Sequence, residues 1–217
     1  MTKSAGGRGR FITLAGGEGG GKSTQCRRLL PWLKEQGIDA LATREPGGSP
    51  GAERIRELLV TGSADRWTPL TEVLLHYAAR QDHICAVIEP ALAAGQWVVC
   101  DRFFDSTLAY QGYGHRVPLN FIETLRQQIV CDIYQPDITV ILDLPAAEGL
   151  SRSHARDNTE RRYESMPVEF HERLRRGFQE IAKREPKRCV VVDANQPIDE
   201  VQAAIRLAIS KRLAVAV

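Results

Sequence analysis

Long apolar segments are absent from this 217-residue chain. No apolar run approaches the roughly 18 residues that a membrane-spanning helix needs. Residues 1–9 carry Lys3 and Arg8 but have no apolar stretch, so they do not resemble a signal peptide, and we expect a disordered tail there. The formal net charge is only +2, so no overall field favours nucleic acid or an anionic membrane as a partner.

Cysteine pairs of the C-x-x-C type are also absent. The five cysteines are odd in number and scattered along the chain. This pattern argues against a zinc site and against a disulfide framework, and it favours a reducing, cytoplasmic location. The sequence also shows no internal repeat and no linker, which predicts a single domain over residues 10–217.

A phosphate-binding motif is present near the start of the chain. Residues 16–23 match G-x-x-x-x-G-K-[ST], after an apolar strand pattern at 11–15 and before a helical pattern at 24–36. Glycines let successive backbone N–H groups converge on phosphate oxygens at a helix N-terminus. Lys22 adds a cation, and the Ser23 hydroxyl can ligate Mg²⁺. The predicted phosphate-binding residues are Gly16, Gly17, Glu18, Gly19, Gly20, Gly21, Lys22, Ser23 and Thr24.

Short apolar segments alternate with longer helical patterns over the whole chain. This alternation predicts an α/β fold, a doubly wound parallel sheet with helices on both faces and ligands at the carboxyl ends of its strands. We expect Pro31 to interrupt or bend the first helix and Pro90 to kink or divide a long helical region that begins at Pro69. The five predicted strands are 11–15, 40–43, 97–102, 138–144 and 189–193, and the other predicted helices are 52–60, 106–109, 119–131, 146–156, 168–184 and 198–213.

Charged residues follow two of the predicted strands. A carboxylate at the position of Asp101 suits the role of holding Mg²⁺, although Asp101 could instead only pair with Arg102 or cap a turn. Four arginines would lie along one rim, which suits bidentate capture of a second phosphate. Any one of them could equally be an ordinary surface residue. The four are Arg44, Arg56, Arg80 and Arg102.

An arginine-rich, weakly apolar stretch lies late in the chain. It has too few apolar residues to pack, so we expect a mobile cationic lid at about 153–165 that closes over phosphates. A solvated helix face with interspersed acids is the alternative. The guanine-reading Asn-Lys-x-Asp of GTPase switches is not found in the sequence.

Several longer motifs resemble thymidylate kinase and occur in that family's order. The most specific one begins at Asp101 and reads Asp-Arg-Phe-Phe-Asp-Ser-Thr-Leu-Ala-Tyr-Gln-Gly. The others are Gly-Gly-Glu-Gly-Gly-Gly-Lys-Ser-Thr, Thr-Arg-Glu-Pro-Gly-Gly, Tyr-Ala-Ala-Arg and Arg-Tyr-Glu. The resemblance implies a five-stranded nucleoside-monophosphate-kinase fold, transfer of the γ-phosphoryl of ATP to dTMP with Mg²⁺, and a homodimer.

The resemblance also assigns roles by matching position. Lys22 and the loop amides would hold the ATP phosphates, with Ser23 and Asp101 on the metal side. In the dTMP site, Arg44 and Arg102 would grip the monophosphate, while Glu18 would accept a hydrogen bond from the sugar 3′-hydroxyl. Arg80, Thr107 and Gln111 would face the thymine edge, His76 its plane and Tyr110 the 2′ position, and Arg56 would be a further contact.

The chain departs from the family pattern at a few positions. Ala15 and Phe103 replace commonly larger or more polar residues, and His76 replaces the phenylalanine that stacks on thymine. We expect His76 to make dTMP affinity depend on pH near neutrality. Gly19 and Gly20 lack the arginine of one family branch, which implies a catalytic arginine from the lid. Arg156 is the first candidate for it, while Arg162 is expected to hold the lid or the adenine side, and Arg152 and Arg161 are further candidates.

Two other interpretations remain open at this point. A deoxynucleoside kinase shares the fold but phosphorylates an uncharged nucleoside, which would not need Arg44 and Arg102. A non-catalytic nucleotide-binding regulator would not need the arginine-rich lid. The resemblance also predicts a cis peptide between Glu45 and Pro46, where related kinases bend to aim the preceding arginine at the monophosphate.

Overall fold

A single parallel sheet forms the centre of the molecule in a computed structural model, which describes residues 7–63, 65–155 and 162–215. Its strand order is β2-β3-β1-β4-β5. The chain leaves β1 first towards β2 and later towards β4, so the order reverses at β1 and opens a crevice at the carboxyl ends of β1 and β3. The strands are β1 (Phe11–Ala15), β2 (Ala40–Arg44), β3 (Trp97–Asp101), β4 (Ile138–Asp143) and β5 (Cys189–Asp193).

Helices cover both faces of this sheet. Ile12 and Leu14 point from β1 to one face, where they pack with residues of α1 and α9. Phe11 and Ala15 point to the other face, against α3 and α8. The fold class expected from the sequence is therefore confirmed. The described α-helices are α1 (Lys22–Glu35), α2 (Pro50–Val60), α3 (Pro69–His83), α4 (Glu89–Ala93), α5 (Phe104–Thr107), α6 (Leu119–Ile129), α7 (Ala146–His154), α8 (Val168–Arg184) and α9 (Ile198–Leu213). None of them is long and apolar enough to cross a membrane.

Of the two outcomes expected at Pro31, an interruption or a bend of the first helix, the interruption is wrong, because α1 runs through Pro31 as one element. Pro31 is exposed, so water can satisfy the carbonyl that loses its backbone donor. Leu29, Trp32 and Leu33 are buried on either side of it, and this packing holds the helix together. Tertiary packing outweighs the local cost of proline at this position.

The prediction that Pro90 divides a long helical region is confirmed. A π-helical segment, Ile84–Ile88, separates α3 from α4 just before Pro90. A wider turn relieves the clash between a proline ring and the carbonyl four residues earlier. A second π-helical segment, Leu108–Gly114, extends the helix expected at 106–109 through the whole Tyr-Gln-Gly motif.

Element ends differ from the predictions by a few residues. Strand β3 ends at Asp101 rather than 102, because Arg102 has a left-handed backbone with φ 71°. Helix α6 ends at Ile129 rather than 131, and Cys131 is also left-handed with φ 51°. The expected tail is described from residue 7 onward. Its end is not loose, because Gly9 is buried and its N–H donates to the Leu92 carbonyl at 2.8 Å.

Candidate active site

One cavity of about 340 Å³ opens at the carboxyl ends of the strands, beside β1 and β3. In the sheet register, Asp101 lies opposite Leu14 of β1 and Arg44 of β2, which brings these strand ends together. The cavity also reaches the phosphate loop and α3. It is lined by all nine residues expected to bind dTMP, namely Glu18, Arg44, Arg56, His76, Arg80, Arg102, Thr107, Tyr110 and Gln111, and by Gly19, Gly21, Lys22, Ser23 and Asp101.

The phosphate loop connects β1 to α1 as expected. Gly21 precedes the helix with φ 80°, a backbone conformation that favours glycine. Lys22 is buried, and its Nζ donates to the Gly17 carbonyl of the same loop. The remaining loop residues, Gly16, Gly17, Gly20 and Thr24, do not line the cavity, and their contribution to anion binding would come from the loop backbone.

The pair expected on the metal side lies at the loop's edge. The Ser23 hydroxyl donates to Asp101 Oδ2. Asp101 Oδ1 is buried and has no hydrogen-bond partner among the described residues. Magnesium prefers oxygen ligands and usually takes one or two from the protein and others from substrate phosphates. The two oxygens present here fit such an ion.

Glu18 and Arg102 form an ion pair at the centre of the cavity. Arg102 Nη2 lies 3.2 Å from both Glu18 carboxylate oxygens, and its Nη1 donates to the Gly16 carbonyl at 3.0 Å. Tyr110 donates its hydroxyl proton to Glu18 and lies under the Arg102 guanidinium. Burial alone would raise the pKa of Glu18, but Arg102, Lys22 and the Tyr110 hydrogen bond lower it to about 2. Glu18 is therefore an ionised acceptor at neutral pH.

Arg102 also carries backbone strain, because it is a non-glycine residue with φ 71°. Such conformations cost of the order of 1–3 kcal/mol and concentrate at functional sites. The Arg102 N–H donates to the Leu14 carbonyl at 2.8 Å, which fixes the turn at the end of β3. The strained turn directs the guanidinium back over the phosphate loop.

Arg44 and Arg56 lie at the more open end of the cavity. The Arg44 side chain is 54% exposed and pairs with Glu53 at 3.1 Å. Arg56 donates to the Pro46 carbonyl at 2.6 Å. The Glu45–Pro46 peptide between them is cis, which confirms the prediction. Both guanidiniums line the cavity and could reach an anionic ligand.

Arg80 is buried at the opposite end of the cavity. Its Nε donates to Glu45 at 2.8 Å and its Nη2 to Thr107 at 3.1 Å. The other oxygen of Glu45 lies 3.0 Å from His83 Nδ1, and His83 Nε2 lies 2.7 Å from the Thr43 hydroxyl. Arg80 Nη1 has no hydrogen-bond partner among the described residues, so the guanidinium is fixed and keeps donors for a ligand.

His76 lines the same end and is half-buried. Its Nε2 lies 3.3 Å from the Tyr163 hydroxyl. Burial, followed by the charges of Arg80, Arg102 and Arg162, lowers the pKa of His76 to about 3. The expectation that His76 changes charge near neutrality is therefore wrong. A ring surrounded by guanidiniums stays neutral, and it can still lie against a base.

The arginine-rich region is only partly described. Arg156 and Arg161 lie outside the described residues. Arg152 donates to the Ala194 carbonyl at 3.0 Å and to Asn195 Oδ1 at 2.9 Å. Arg162 is buried and donates to Glu72, to the Leu59 carbonyl at 3.2 Å and to the Ser63 carbonyl at 3.0 Å. It is not among the residues that line the cavity, so the structure does not bring Arg162 to the phosphate loop with Lys22 and Arg102.

Several residues of the site were not assigned roles from the sequence. Glu45 accepts a hydrogen bond from Arg80 and also contacts His83, and Glu72 and Tyr163 contact Gln111. Glu72, Arg80 and Gln111 lie on helical segments. The one available signal in the sequence is an acidic residue at a helix position where the apolar pattern predicts burial. Such a signal indicates that the acid has a partner but cannot say which one. Other cavity-lining residues without an assigned role are Pro46, Val60, Phe103, Ser106, Ser153 and Glu164.

The chain is similar to known proteins over most of its length. The thymidylate kinase family model matches residues 14–205. The chain belongs to the thymidylate kinase family. It is 57% identical to the thymidylate kinase of Caulobacter vibrioides over 94% of this chain and 98% of that one, and 50% identical to that of Magnetococcus marinus over 91% and 93%.

A solved structure agrees with this family assignment. The thymidylate kinase of Ehrlichia chaffeensis is 34% identical, has a TM-score of 0.75, and the match covers 94% of this chain and 99% of that chain. The P-loop nucleoside-monophosphate-kinase fold expected from the sequence is confirmed by this neighbour. Thymidylate kinase membership makes the chain a nucleotide-binding, ATP-dependent kinase.

Proposed function

We propose that the protein transfers the γ-phosphoryl of ATP to dTMP, giving dTDP and ADP. The main supporting observation is that one cavity is lined by the phosphate loop, by several arginines and by buried polar side chains such as Thr107 and Gln111. The chain that contains it belongs to the thymidylate kinase family. One end of the cavity suits phosphates and the other suits a base. This arrangement supports the binding of a second nucleotide in front of the loop that would hold the first.

The phosphate end supplies charge rather than a nucleophile. Phosphoryl transfer depends mainly on positioning and on electrostatic stabilisation of the transferring group. Lys22 would move from the Gly17 carbonyl to the ATP phosphates, while Arg102 and Arg44 would hold the dTMP phosphate in line. Arg156, or another arginine of the 153–165 lid, would add charge when the lid closes. Mg²⁺, held by Ser23 and Asp101, would neutralise phosphate charge when bound.

The centre and the base end of the cavity supply selectivity. The ionised Glu18 carboxylate can only accept, so it suits the 3′-hydroxyl of the sugar. Tyr110 is hydrogen-bonded to Glu18 and packs edge-on against Tyr163, and this rigid ring would crowd a 2′-hydroxyl. Arg80, Thr107 and Gln111 would read the edge of thymine, with His76 against its plane.

A coupled ADP-release assay across dTMP, dUMP, UMP and thymidine tests the proposal. We expect dTMP to be the preferred acceptor and thymidine to be inactive, because a neutral hydroxyl gives Arg44 and Arg102 no phosphate to bind. Turnover with thymidine but not with dTMP would indicate a deoxynucleoside kinase. An absence of turnover with all four, in a protein that still binds ATP, would favour a non-catalytic regulator.

We further propose a homodimer that forms through α3 and α6, which pack side by side. Leu70 and Leu74 on α3 are 47% and 50% exposed, and Phe121 on α6 is 36% exposed. A second copy would bury this apolar surface. Light scattering should give a dimer for the wild type and a monomer for Leu74→Glu. Leu207→Glu is the matched control, because Leu207 on α9 is similarly exposed on the opposite side of the sheet.

All five cysteines are free thiols, which supports a reducing compartment such as the cytoplasm. A single kinase domain over residues 10–217 is supported by the one continuous sheet. Neither dTMP nor ATP requires nucleic acid or a membrane as a further partner.

A further inference from the structure

We infer that Glu72 is a positioning residue that fixes the polarity of the base-reading amide of Gln111, so that the cavity accepts a pyrimidine with an N3–H group and rejects cytosine. The inference rests on the proposed function and goes beyond it by naming the group that sets base choice. Glu72 is buried on α3 and does not line the cavity.

The Gln111 amide is held from behind. Its Nε2 donates to Glu72 Oε2 at 2.9 Å and to the Tyr163 hydroxyl at 3.2 Å. The Tyr163 hydroxyl in turn donates to Glu72 Oε2 at 3.1 Å. A carboxylate can accept but not donate, so only the NH₂ side of the Gln111 amide can face it. The orientation of this amide is therefore imposed by its neighbour.

The other side of the amide is left for a ligand. Gln111 is completely buried and lines the cavity, and its Oε1 has no hydrogen-bond partner among the described residues. Arg80 Nη1 likewise has none. Together they offer one acceptor and one donor. Thymine and uracil present the complementary N3–H donor and O4 acceptor, whereas cytosine presents an N3 acceptor and an N4 donor.

Glu72 is itself fixed by the end of the arginine-rich region. Its Oε1 accepts from Arg162, which also donates to the Leu59 and Ser63 carbonyls. Both oxygens of the Glu72 carboxylate act as acceptors in this arrangement, Oε1 from Arg162 and Oε2 from Gln111. Arg162 and Tyr163 belong to the arginine-rich region. Through these two residues, the Gln111 amide is connected to that region.

The test is Glu72→Gln, which keeps the shape of the side chain. The introduced amide would keep its oxygen towards Arg162 and turn its NH₂ towards Gln111, so that the Gln111 amide reverses and presents a donor to the cavity. The expected result is a loss of about 10- to 100-fold in the ratio of kcat/KM for dTMP to kcat/KM for dCMP, the usual effect of one unmatched buried polar group. Glu180→Gln makes the same chemical change at a partly exposed residue of α8 that pairs with Lys183 and does not line the cavity, so this ratio should stay near the wild-type value.

A reciprocal change separates this role from a general structural one. In Glu72→Gln combined with Gln111→Glu, the carboxylate at position 111 accepts from the amide at position 72 and still presents an acceptor to the cavity. We expect this double variant to recover the preference for dTMP, and Gln111→Glu alone to be worse because two carboxylates then face each other. If Glu72→Gln does not fold, the double variant against Gln111→Glu supplies the same comparison.

The outcomes are distinguishable. A folded Glu72→Gln with an unchanged dTMP/dCMP ratio, or a double variant no better than Gln111→Glu, overturns the inference while leaving the proposed function intact. A wild-type protein that does not phosphorylate dTMP overturns the proposed function itself. Binding of ATP, measured separately for each variant, shows that the phosphate loop is unaffected.

Discussion

The two ends of the cavity contain chemical groups that differ in burial and in freedom to move. At the phosphate end, the groups are the loop backbone, the buried Lys22 and the more exposed pair of Arg44 and Glu53, whose side chains are 54% and 41% exposed. At the base end, the Arg80 and Glu45 side chains are 2% and 4% exposed and are joined to further buried groups. The first end holds charge that can move, and the second holds a fixed pattern of donors and acceptors.

The difference matches what each end would have to do. A transferring phosphoryl group changes position and charge distribution, so its ligands must follow it, and a half-exposed side chain such as Arg44 can do so at little cost. Base recognition needs donors and acceptors that do not turn, because an amide that can flip does not discriminate. Buried ionic networks supply such rigidity, although they are costly to break.

The largest expected effect is at the phosphate end. We expect Lys22→Ala to abolish transfer, because the loop sets the backbone and Lys22 supplies the charge on the phosphates. Circular dichroism should show an intact fold. Lys34→Ala, an exposed lysine on the same helix, is the control and should keep full activity. A folded Lys22→Ala enzyme with more than a few per cent of wild-type turnover would show that the phosphate site is misassigned.

The second prediction concerns the lid. We expect Arg156→Ala to lower kcat by about 10³-fold with little change in dTMP affinity, as for an arginine that contacts the transferring group. Arg152→Ala is the comparison, because Arg152 is engaged with the Ala194 carbonyl and Asn195. Single-turnover rates and equilibrium dTMP binding separate the two effects. Unchanged kcat for alanine at 152, 156, 161 and 162 would remove the lid from the mechanism.

The third prediction compares the two ends directly. Glu45→Ala leaves Arg80 and His83 buried without their carboxylate, so we expect a loss of about 3–5 kcal/mol in the free energy of unfolding and a higher KM for dTMP. Glu53→Ala at the phosphate end breaks a half-exposed pair with Arg44 and a hydrogen bond from the Gly48 N–H, and should cost about 1–2 kcal/mol. Urea unfolding measures both. Equal losses would mean that the two ends do not differ in rigidity as described.

The sequence predicts the secondary-structure elements and motif residues of the site better than the contacts between its buried side chains. The parallel sheet with helices on both faces could be anticipated because apolar segments alternate with helical patterns, and the loop and strand-end residues Lys22, Asp101 and Arg102 follow from local spacing. The contacts of Glu45 and Glu72 join residues 35 and 39 positions apart, and no periodicity encodes them. The continuation of α1 through Pro31 likewise depends on burial by other elements rather than on local preference.

The smallest expected effect is at His76. With a pKa of about 3, the imidazole is neutral throughout the working range, and we propose that it lies against the base as a small, uncharged ring. We expect His76→Phe to gain about 0.5–1.5 kcal/mol in dTMP affinity, because a benzyl ring offers more apolar area. The gain should be the same at pH 6 and pH 8 in dTMP titrations. Equal affinity of the two proteins would show that His76 does not stack on the base.

The same substitution has a signature in stability, and its sign follows from the depressed pKa. The unfolded chain binds a proton at His76 near pH 6.5, whereas the folded chain does not until about pH 3. Wild-type stability from this group is complete above pH 6.5 and is lost as the pH falls towards 3. His76→Phe lacks this loss, so acidification from pH 7 to pH 5 should lower its unfolding midpoint in urea less than that of the wild type. A parallel decline in both proteins would contradict the burial of His76 among the arginines as the cause of its low pKa.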